Sequence, residues 1–277
     1  MSAEGKISRQ DVGRRAVQFC TFLTLATFVA CAQAQAKPGI QAVELSGDQS
    51  ISGPVQWRDK NYTVHGAVTV ESDGLLEIGT TGPGLTAIIE GKLTIEEGGR
   101  VIIGHKSSEK RQHSVCDIHG DVELSGSLTV DNATVEIVGT FQNEFTFKFT
   151  EGTLVTKNGS FIGGAKYDDK VYATGFDLSS GKWDCNDTTV QYISGIWVSG
   201  GTFNAQGLHA GEVPDHIHAY GGTIVVKNST YDVLFTLDFT KGAHRPVVLD
   251  LPIGEAIPYW DNSNLPGSDY SLKLINH

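Results

Sequence analysis

Positive charge is scarce in this 277-residue chain: 21 Lys and Arg face 32 Asp and Glu, which leaves a formal net charge of −11 at pH 7. Such an acidic protein repels nucleic acid and anionic membranes, which argues against both as partners. Beyond residue 36 no apolar run is long enough to span a membrane. The sequence also lacks a Gly-rich phosphate loop, a nucleophile elbow and a Cys–His pair of catalytic spacing.

The first 36 residues are typical of an export signal. A pair of arginines at residues 14–15 gives a positive region, residues 16–30 are apolar, and residues 34–36 offer small side chains for cleavage after Ala36. Two variants stay open: the arginine pair fits a twin-arginine signal, and residues 28–31 resemble a lipoprotein box that would lipidate Cys31. In each case we expect a secreted, periplasmic or cell-surface protein.

Cysteine is also rare, and export reduces it further. Of the 4 cysteines, Cys20 and Cys31 lie in the predicted signal, so Cys116 and Cys185 remain. In an oxidising compartment these two either pair as a disulfide or lie in separate strands as buried thiols. The sequence leaves both alternatives open.

One pattern occurs three times between Gly66 and Gly139. The copies are GAVTVESDGLLEIG, GKLTIEEGGRVIIG and GSLTVDNATVEIVG. In each, apolar residues alternate with polar ones on both sides of a polar turn, which predicts two short strands with one buried face. The predicted inward residues are Val68, Val70, Leu76, Ile78, Leu93, Ile95, Val101, Ile103, Leu128, Val130, Val135 and Ile137. Because two strands cannot bury that face alone, we expect the copies to stack as a solenoid.

Further copies begin near Gly152, Gly181, Gly201 and Gly222, at irregular spacings. Irregular coils with variable loops resemble right-handed parallel β-helices of the pectate-lyase type, over roughly residues 60–240. The resemblance implies an all-β fold of about seven to nine coils. The expected divisions are the signal (1–36), a leading segment with an N-terminal cap (37–65), the β-helix (66–240), and a last coil, terminal cap or truncated end (241–277).

Two polar segments, residues 105–115 and 163–175, interrupt the apolar pattern and are predicted to project as loops. The turns carry a second repeat, because Asn132, Asn158 and Asn228 follow the glycine of their copies at the same distance. Each begins an N-x-S/T triplet. These asparagines are either glycan acceptors or corner residues with left-handed backbone.

The resemblance to pectate lyases implies acidic residues that hold calcium, together with a basic residue. In the second loop, Asp168, Asp169 and Lys170 are the candidates for this role. The alternative is a solvated turn, with no ion bound.

A second candidate site lies in EVPDHIHAYGG. His216 and His218 alternate, so on a strand they share one face, and with Asp215 they could bind zinc or act as acid and base. The alternative is a pair of exposed histidines on a polar sheet. Trp183 and Trp197 lie in neighbouring coils: facing outward they would form a stacking platform for sugar rings, and facing inward they would belong to the core.

No recognisable acid–base pair points to catalysis. The run GTFNAQG at residues 201–207 resembles a turn of polygalacturonases, but the acidic pairs of that family are missing. The leading hypothesis is an exported, non-catalytic β-helix that binds a polysaccharide or another cell-surface ligand along one face, with calcium as an open cofactor. The first alternative is a polysaccharide lyase or hydrolase of β-helix type. The second is a self-assembling structural β-helix, since GDVELSGSLTV resembles the cytoplasmic bactofilins.

Overall fold

A computed structural model describes residues 41–81, 84–105, 113–139, 145–167, 170–211, 217–219, 223–227, 230–231, 236–239, 247–250, 259–260 and 273–274. All regular secondary structure in these ranges is β-strand. None of the described residues form a helix long and apolar enough to cross a membrane. The predicted signal lies outside the described ranges.

The strands follow one another along the chain with short turns between most of them. In chain order they are β1 (Gln41–Ser46), β2 (Gln49–Ile51), β3 (Pro54–Trp57), β4 (Lys60–His65), β5 (Val68–Val70), β6 (Leu75–Ile78), β7 (Thr86–Ile89), β8 (Leu93–Ile95), β9 (Arg100–Gly104), β10 (Ser114–Ile118), β11 (Val122–Leu124), β12 (Ser127–Asp131), β13 (Ala133–Ile137), β14 (Phe145–Phe149), β15 (Thr153–Lys157), β16 (Ser160–Gly163), β17 (Ala165–Tyr167), β18 (Lys170–Tyr172), β19 (Thr174–Leu178), β20 (Lys182–Gln191), β21 (Ile193–Val198), β22 (Thr202–Gly211), β23 (Ile217–Ala219), β24 (Thr223–Lys227), β25 (Thr230–Tyr231), β26 (Thr236–Phe239), β27 (Val247–Asp250), β28 (Tyr259–Trp260) and β29 (Lys273–Leu274).

Each strand of the two large sheets pairs in parallel with strands about one turn before and after it. For example, β5 lies between β2 and β8, and β6 lies between β3 and β9. The chain passes through one strand of a ten-stranded sheet and then through the seventeen-stranded sheet before it returns. This all-β arrangement of stacked parallel strands is consistent with a parallel β-helix solenoid. The ten-stranded sheet takes one strand from each turn, and eight of its strands, from β5 to β26, lie within residues 66–240.

The predicted inward face is confirmed. Every one of the residues assigned to it from the three copies is buried, with at most 1% of its surface exposed. Alternation places these side chains inside the coil, where each stacks on the side chain of the next turn.

The register of the third copy differs from the prediction. The sequence pattern aligned Leu128 with Leu93, but the structure pairs Leu93 with Val122 and Leu128 with Val101. The third copy therefore begins one strand further round the coil. All the strands alternate with the same period, so the pattern identifies inward residues without identifying which strands are neighbours.

One corner of the coil, between the two strands that each turn gives to the seventeen-stranded sheet, has left-handed backbone in successive turns. The residues are Asp59, Gly79, Gly104, Asn132, Asn158, Asp187 and Gly207, with φ between 47° and 73°. Asn, Asp and Gly are the residues that adopt this conformation most readily. The corner role is thus confirmed for Asn132 and Asn158, whereas Asn228 lies outside the described residues. Glycan attachment at these triplets stays a prediction.

Candidate functional site

Trp183, a predicted stacking platform, is part of the core. It is fully buried on β20, in register between Leu154 and Phe203. Its indole Nε1 donates a hydrogen bond of 3.2 Å to the hydroxyl oxygen of Thr156, which satisfies the polar atom of the ring. Its ring centroid lies 4.7 Å from that of Phe176. Because no face of the ring is open to solvent, the prediction that Trp183 binds a ligand is wrong.

Cys116 and Cys185 are both free, buried thiols. Cys116 lies on β10 and Cys185 on β20, and β13 and β16 lie between these strands in the same sheet. Three strand spacings amount to roughly 14 Å, whereas bridged cysteines have Cα atoms within about 7 Å. Of the two alternatives left open by the sequence, the structure therefore has the separate buried thiols rather than the disulfide.

Trp197 lies on the outward side of β21 and is half-buried, while its neighbours Ile196 and Val198 point into the core. Its ring extends over Gly175 on β19, where a Cβ atom would stand 2.6 Å from Trp197 Cζ3. A side chain at position 175 would displace the ring. The glycine therefore makes room for an indole against the outer face of the ten-stranded sheet.

The backbone beside this indole is irregular. The pairing of β19 with β21 slips by one residue between Thr174 and Gly175, so Ser194 is the extra residue of a β-bulge. Ser194 Oγ is buried, and no hydrogen-bond partner reaches it from the part of the chain that the structure describes. Tyr192 has a φ of 54°, a left-handed conformation that bulky side chains rarely adopt. Bulges and such strained residues are frequent beside binding sites.

An antiparallel hairpin, β17 with β18, projects from the coil next to the bulge. Tyr192 fixes its base, because the carbonyl oxygen of Tyr192 accepts hydrogen bonds from the N–H groups of Gly164 and Thr174, each 3.2 Å long. The predicted ligand Lys170 is exposed on β18. The second predicted loop is thus a hairpin, and it is attached to the strand pair that carries Trp197.

A file of positions, one from each strand, crosses the ten-stranded sheet at this point. In register, strand by strand, it comprises Glu123, Lys148, Asp177, Trp197, His218 and Asp238. Neighbouring positions in such a file are about 4.8 Å apart. Two predicted candidates, Trp197 and His218, therefore occupy adjacent positions, although only the strand position of His218 is described.

The remaining predicted ligands, Asp168, Asp169, Asp215 and His216, lie outside the described residues. Within the described ranges, no three His, Cys, Asp or Glu side chains converge so that they could hold a metal ion. Calcium or zinc binding by the hairpin and by the histidine stretch stays a prediction.

Sequence reasoning missed a carboxyl pair on the outer side of the seventeen-stranded sheet. Asp117 on β10 is in register with Glu136 on β13. Burial and, to a lesser extent, the charge of Glu136 raise the pKa of Asp117 to about 7. Asp117 Oδ1 is buried and has no hydrogen-bond partner among the described residues. Asp117 therefore keeps its proton until the pH approaches about 7, beside the carboxyl group of Glu136. No motif reveals the pair, because only the stacking of coils brings the two residues together.

Comparisons with protein families, with curated proteins and with solved structures found no significant match. The function is therefore inferred from the geometry of the chain itself.

Proposed function

We propose that the protein is an exported, non-catalytic β-helix that binds carbohydrate along the outer face of its ten-stranded sheet. The fold proposed is right-handed and of the pectate-lyase type. The observation that carries the functional proposal is the half-buried Trp197, held over Gly175 beside a β-bulge and a projecting hairpin.

The chemistry of this surface suits a sugar. An indole that keeps part of its surface in solvent packs against the apolar side of a pyranose ring. The carboxylate of Asp177, the register neighbour of Trp197, accepts hydrogen bonds from sugar hydroxyl groups.

We propose a neutral rather than an anionic glycan as the ligand. The chain has a formal net charge of −11, and a polyanion such as pectate is repelled unless a cation bridges the two. Stacking and hydroxyl recognition require no charge on the sugar.

Titration calorimetry with soluble neutral glucans, alginate and pectate, with and without calcium, tests this function. We expect the neutral glucans to bind, and we expect Trp197→Ala to weaken binding by about tenfold or more, which corresponds to about 1.4 kcal/mol. Phe161→Ala is the matched control, because Phe161 is a half-buried outward aromatic on β16 in the other sheet. Equal losses in the two variants, or binding to none of these glycans, would contradict the proposal.

A polysaccharide hydrolase or lyase is the second candidate, and the Asp117–Glu136 pair favours it. Retaining glycosidases use two carboxyl groups about 5–5.5 Å apart, and register neighbours lie on strands about 4.8 Å apart. Asp117, with a pKa raised to about 7, would serve as the acid and Glu136 as the base or nucleophile.

Incubation with the same glycans, followed for unsaturated products and for new reducing ends, separates the two candidates. The binding protein gives no turnover. Turnover that disappears in Asp117→Asn and Glu136→Gln, and that persists in the control Glu77→Gln on β6, would establish the enzyme instead.

Export is part of the proposal and has its own test. N-terminal sequencing of the secreted protein should begin at Lys37, while material that begins at Met1 or Ser2 would contradict cleavage after Ala36. A lipid found on Cys31 by mass spectrometry would establish the lipoprotein variant.

A further inference from the structure

Three titratable residues from successive turns stack on one another at the corner where the chain leaves the seventeen-stranded sheet. His65 is the last residue of β4, Glu90 follows β7, and His119 follows β10. The backbone stacks them directly, because Glu90 N donates to Val64 O over 2.9 Å and His119 N donates to Ile89 O over 2.8 Å. Glu and His therefore alternate from one turn to the next.

His65 is bound on both sides by carboxylates. Its Nδ1 lies 2.6 Å from Glu90 Oε2, and its Nε2 lies 2.8 Å from Glu44 Oε2. Glu44 belongs to β1, which in the described part of the chain pairs with β4 alone. One imidazole thus connects three successive turns and reaches the first strand.

This geometry fixes the protonation state of His65. An ionised carboxylate can only accept hydrogen bonds, and a neutral imidazole has one N–H donor and one acceptor nitrogen. Two bonds to carboxylates at once require both ring nitrogens to carry protons. His65 is therefore an imidazolium when both contacts are made.

We propose that His65 is a proton-operated clamp, which holds β1 on the solenoid as an imidazolium and releases it when the ring loses a proton. In the neutral ring, one nitrogen lone pair faces a carboxylate at hydrogen-bonding distance. That contact is repulsive, so one of the two bonds must break. The bond to β1 is the weaker anchor, since β4 is the one strand of the described residues that pairs with β1.

The groups around His65 stabilise its protonated form, so the clamp should weaken as the pH rises. Hydrogen bonds to Glu90 and to Glu44 raise the pKa of His65 above its ordinary value of 6.5. On the far side of Glu90 lies His119, which is solvent-exposed overall, and partial burial of its ring lowers its pKa despite the nearby carboxylate. His119 is therefore a weaker competitor for Glu90 than His65. Because the folded pKa of His65 is the higher one, the clamp is complete below pH 6.5 and is lost as the pH rises through that folded pKa.

Release of β1 has a structural consequence. Leu45 of β1 packs against the core, and β1 covers the N–H and C=O groups along one edge of β4. An uncovered edge of this kind pairs readily with strands of other chains. The clamp would therefore keep the first described turn closed at low pH and open it as the pH rises through the raised pKa of His65.

The test is NMR spectroscopy of the purified protein between pH 5 and 9, with two readouts. Side-chain spectra give the titration of His65. Hydrogen exchange of the Gly47 N–H, which donates to His65 O over 3.1 Å, reports the attachment of the end of β1. We expect His65 to titrate above pH 6.5, and the protection factor of Gly47 to fall through the same range by up to about tenfold per pH unit, the limit for one proton.

Two matched variants decide the outcome. In Glu44→Gln the amide N–H can donate to a neutral imidazole. The pKa of His65 should therefore fall, and the hydrogen exchange protection of the Gly47 N–H should no longer depend on pH. Glu77→Gln is the control, because Glu77 accepts a 2.5 Å hydrogen bond from Gln56 across β3 and β6 with no histidine involved. Thermal melting confirms that both variants fold. A His65 that titrates at or below pH 6.5, or a Gly47 pH dependence that persists in Glu44→Gln, would overturn the clamp.

Discussion

The buried interior of the stacked sheets differs between residues 66–137, which we call the aliphatic coils, and residues 145–208, which we call the aromatic coils. A single file of inward side chains, one from each successive turn, shows the change. In register, its members are Val68, Leu93, Val122, Phe147, Phe176 and Ile196. In the aromatic coils Phe147, Phe176 and Trp183 are stacked, with centroid separations of 5.3 and 4.7 Å. The same backbone file thus accepts either kind of side chain.

The outer surface changes at the same place. The hairpin, the bulge at Ser194, the left-handed Tyr192 and the outward Trp197 all belong to the aromatic coils. In the aliphatic coils the described strands pair without a register shift. Regular alternation thus builds the stacked sheets, whereas departures from it mark the surface proposed to bind sugar.

The largest expected effect comes from a charge placed inside the aliphatic coils. Val130 is fully buried on β12, and Val130→Asp leaves a carboxylate there without a partner, which proteins do not tolerate. We expect no soluble folded protein. The adjacent outward Thr129→Asp should fold, with a cost within the roughly 1 kcal/mol range of strand preferences. Thermal melting of both variants checks the register, and the reverse result would show that the two faces are exchanged.

The next largest effect is the loss of stability when one buried side chain is truncated in each interior. Leu128 and Trp183 lie in one inward file, two turns apart. Truncation of a buried leucine to alanine costs about 2–5 kcal/mol and of a buried tryptophan about 3–5 kcal/mol. Urea unfolding of Leu128→Ala and Trp183→Ala should give losses in these ranges. A loss below about 1 kcal/mol for Trp183→Ala would mean that its ring is not part of the core.

A smaller effect is expected at the left-handed corner. In Gly104→Ala the new Cβ would overlap the backbone oxygen of Asp131, and φ is 73°. Gly159→Ala is the control, because its φ is 76° but no atom lies within 4 Å of the new Cβ. We expect about 1–2 kcal/mol for Gly159→Ala from the backbone conformation alone, and a greater loss for Gly104→Ala. Equal losses in chemical denaturation would show that the corner is not closely stacked.

The smallest expected effect is a difference in the free energy of unfolding between two serine-to-alanine variants. Ser160 Oγ donates to Val130 O at 3.0 Å and to Lys157 O at 2.6 Å, whereas Ser194 Oγ is buried with no partner among the described residues. Ser160→Ala should cost about 1 kcal/mol. Ser194→Ala should leave the free energy of unfolding unchanged or raise it, since it removes an unpaired polar atom. A clear loss of stability in Ser194→Ala would show that the hydroxyl is already satisfied.

The alternation of apolar and polar residues predicted which side chains of the aliphatic coils point inward, because a two-residue period is a local property of each strand. It failed to align the third copy, since Leu128 pairs with Val101 rather than with the strand of Leu93. Neighbouring strands are separated by one whole turn of chain, and turn lengths vary. Sequence spacing therefore does not determine which residues stack.

The candidate site was predictable only in part. Trp197 was identified by residue type, but the same reasoning selected Trp183, whose buried position depends on the register of β20 between β15 and β22. The Asp117–Glu136 pair and the bulge at Ser194 come from contacts between turns. Such contacts leave no local pattern, so the sequence could not reveal them.

Hydrogen–deuterium exchange of the purified protein, with and without a saturating neutral glucan oligosaccharide, tests whether the surface around Trp197 binds sugar. We expect the glucan to slow exchange in β21, which carries Trp197, and in β19, whose Gly175 lies under the Trp197 ring, and to leave exchange in the aliphatic coils unchanged. Slowed exchange over β10 and β13, around Asp117 and Glu136, with no change in β19 and β21, would contradict this expectation.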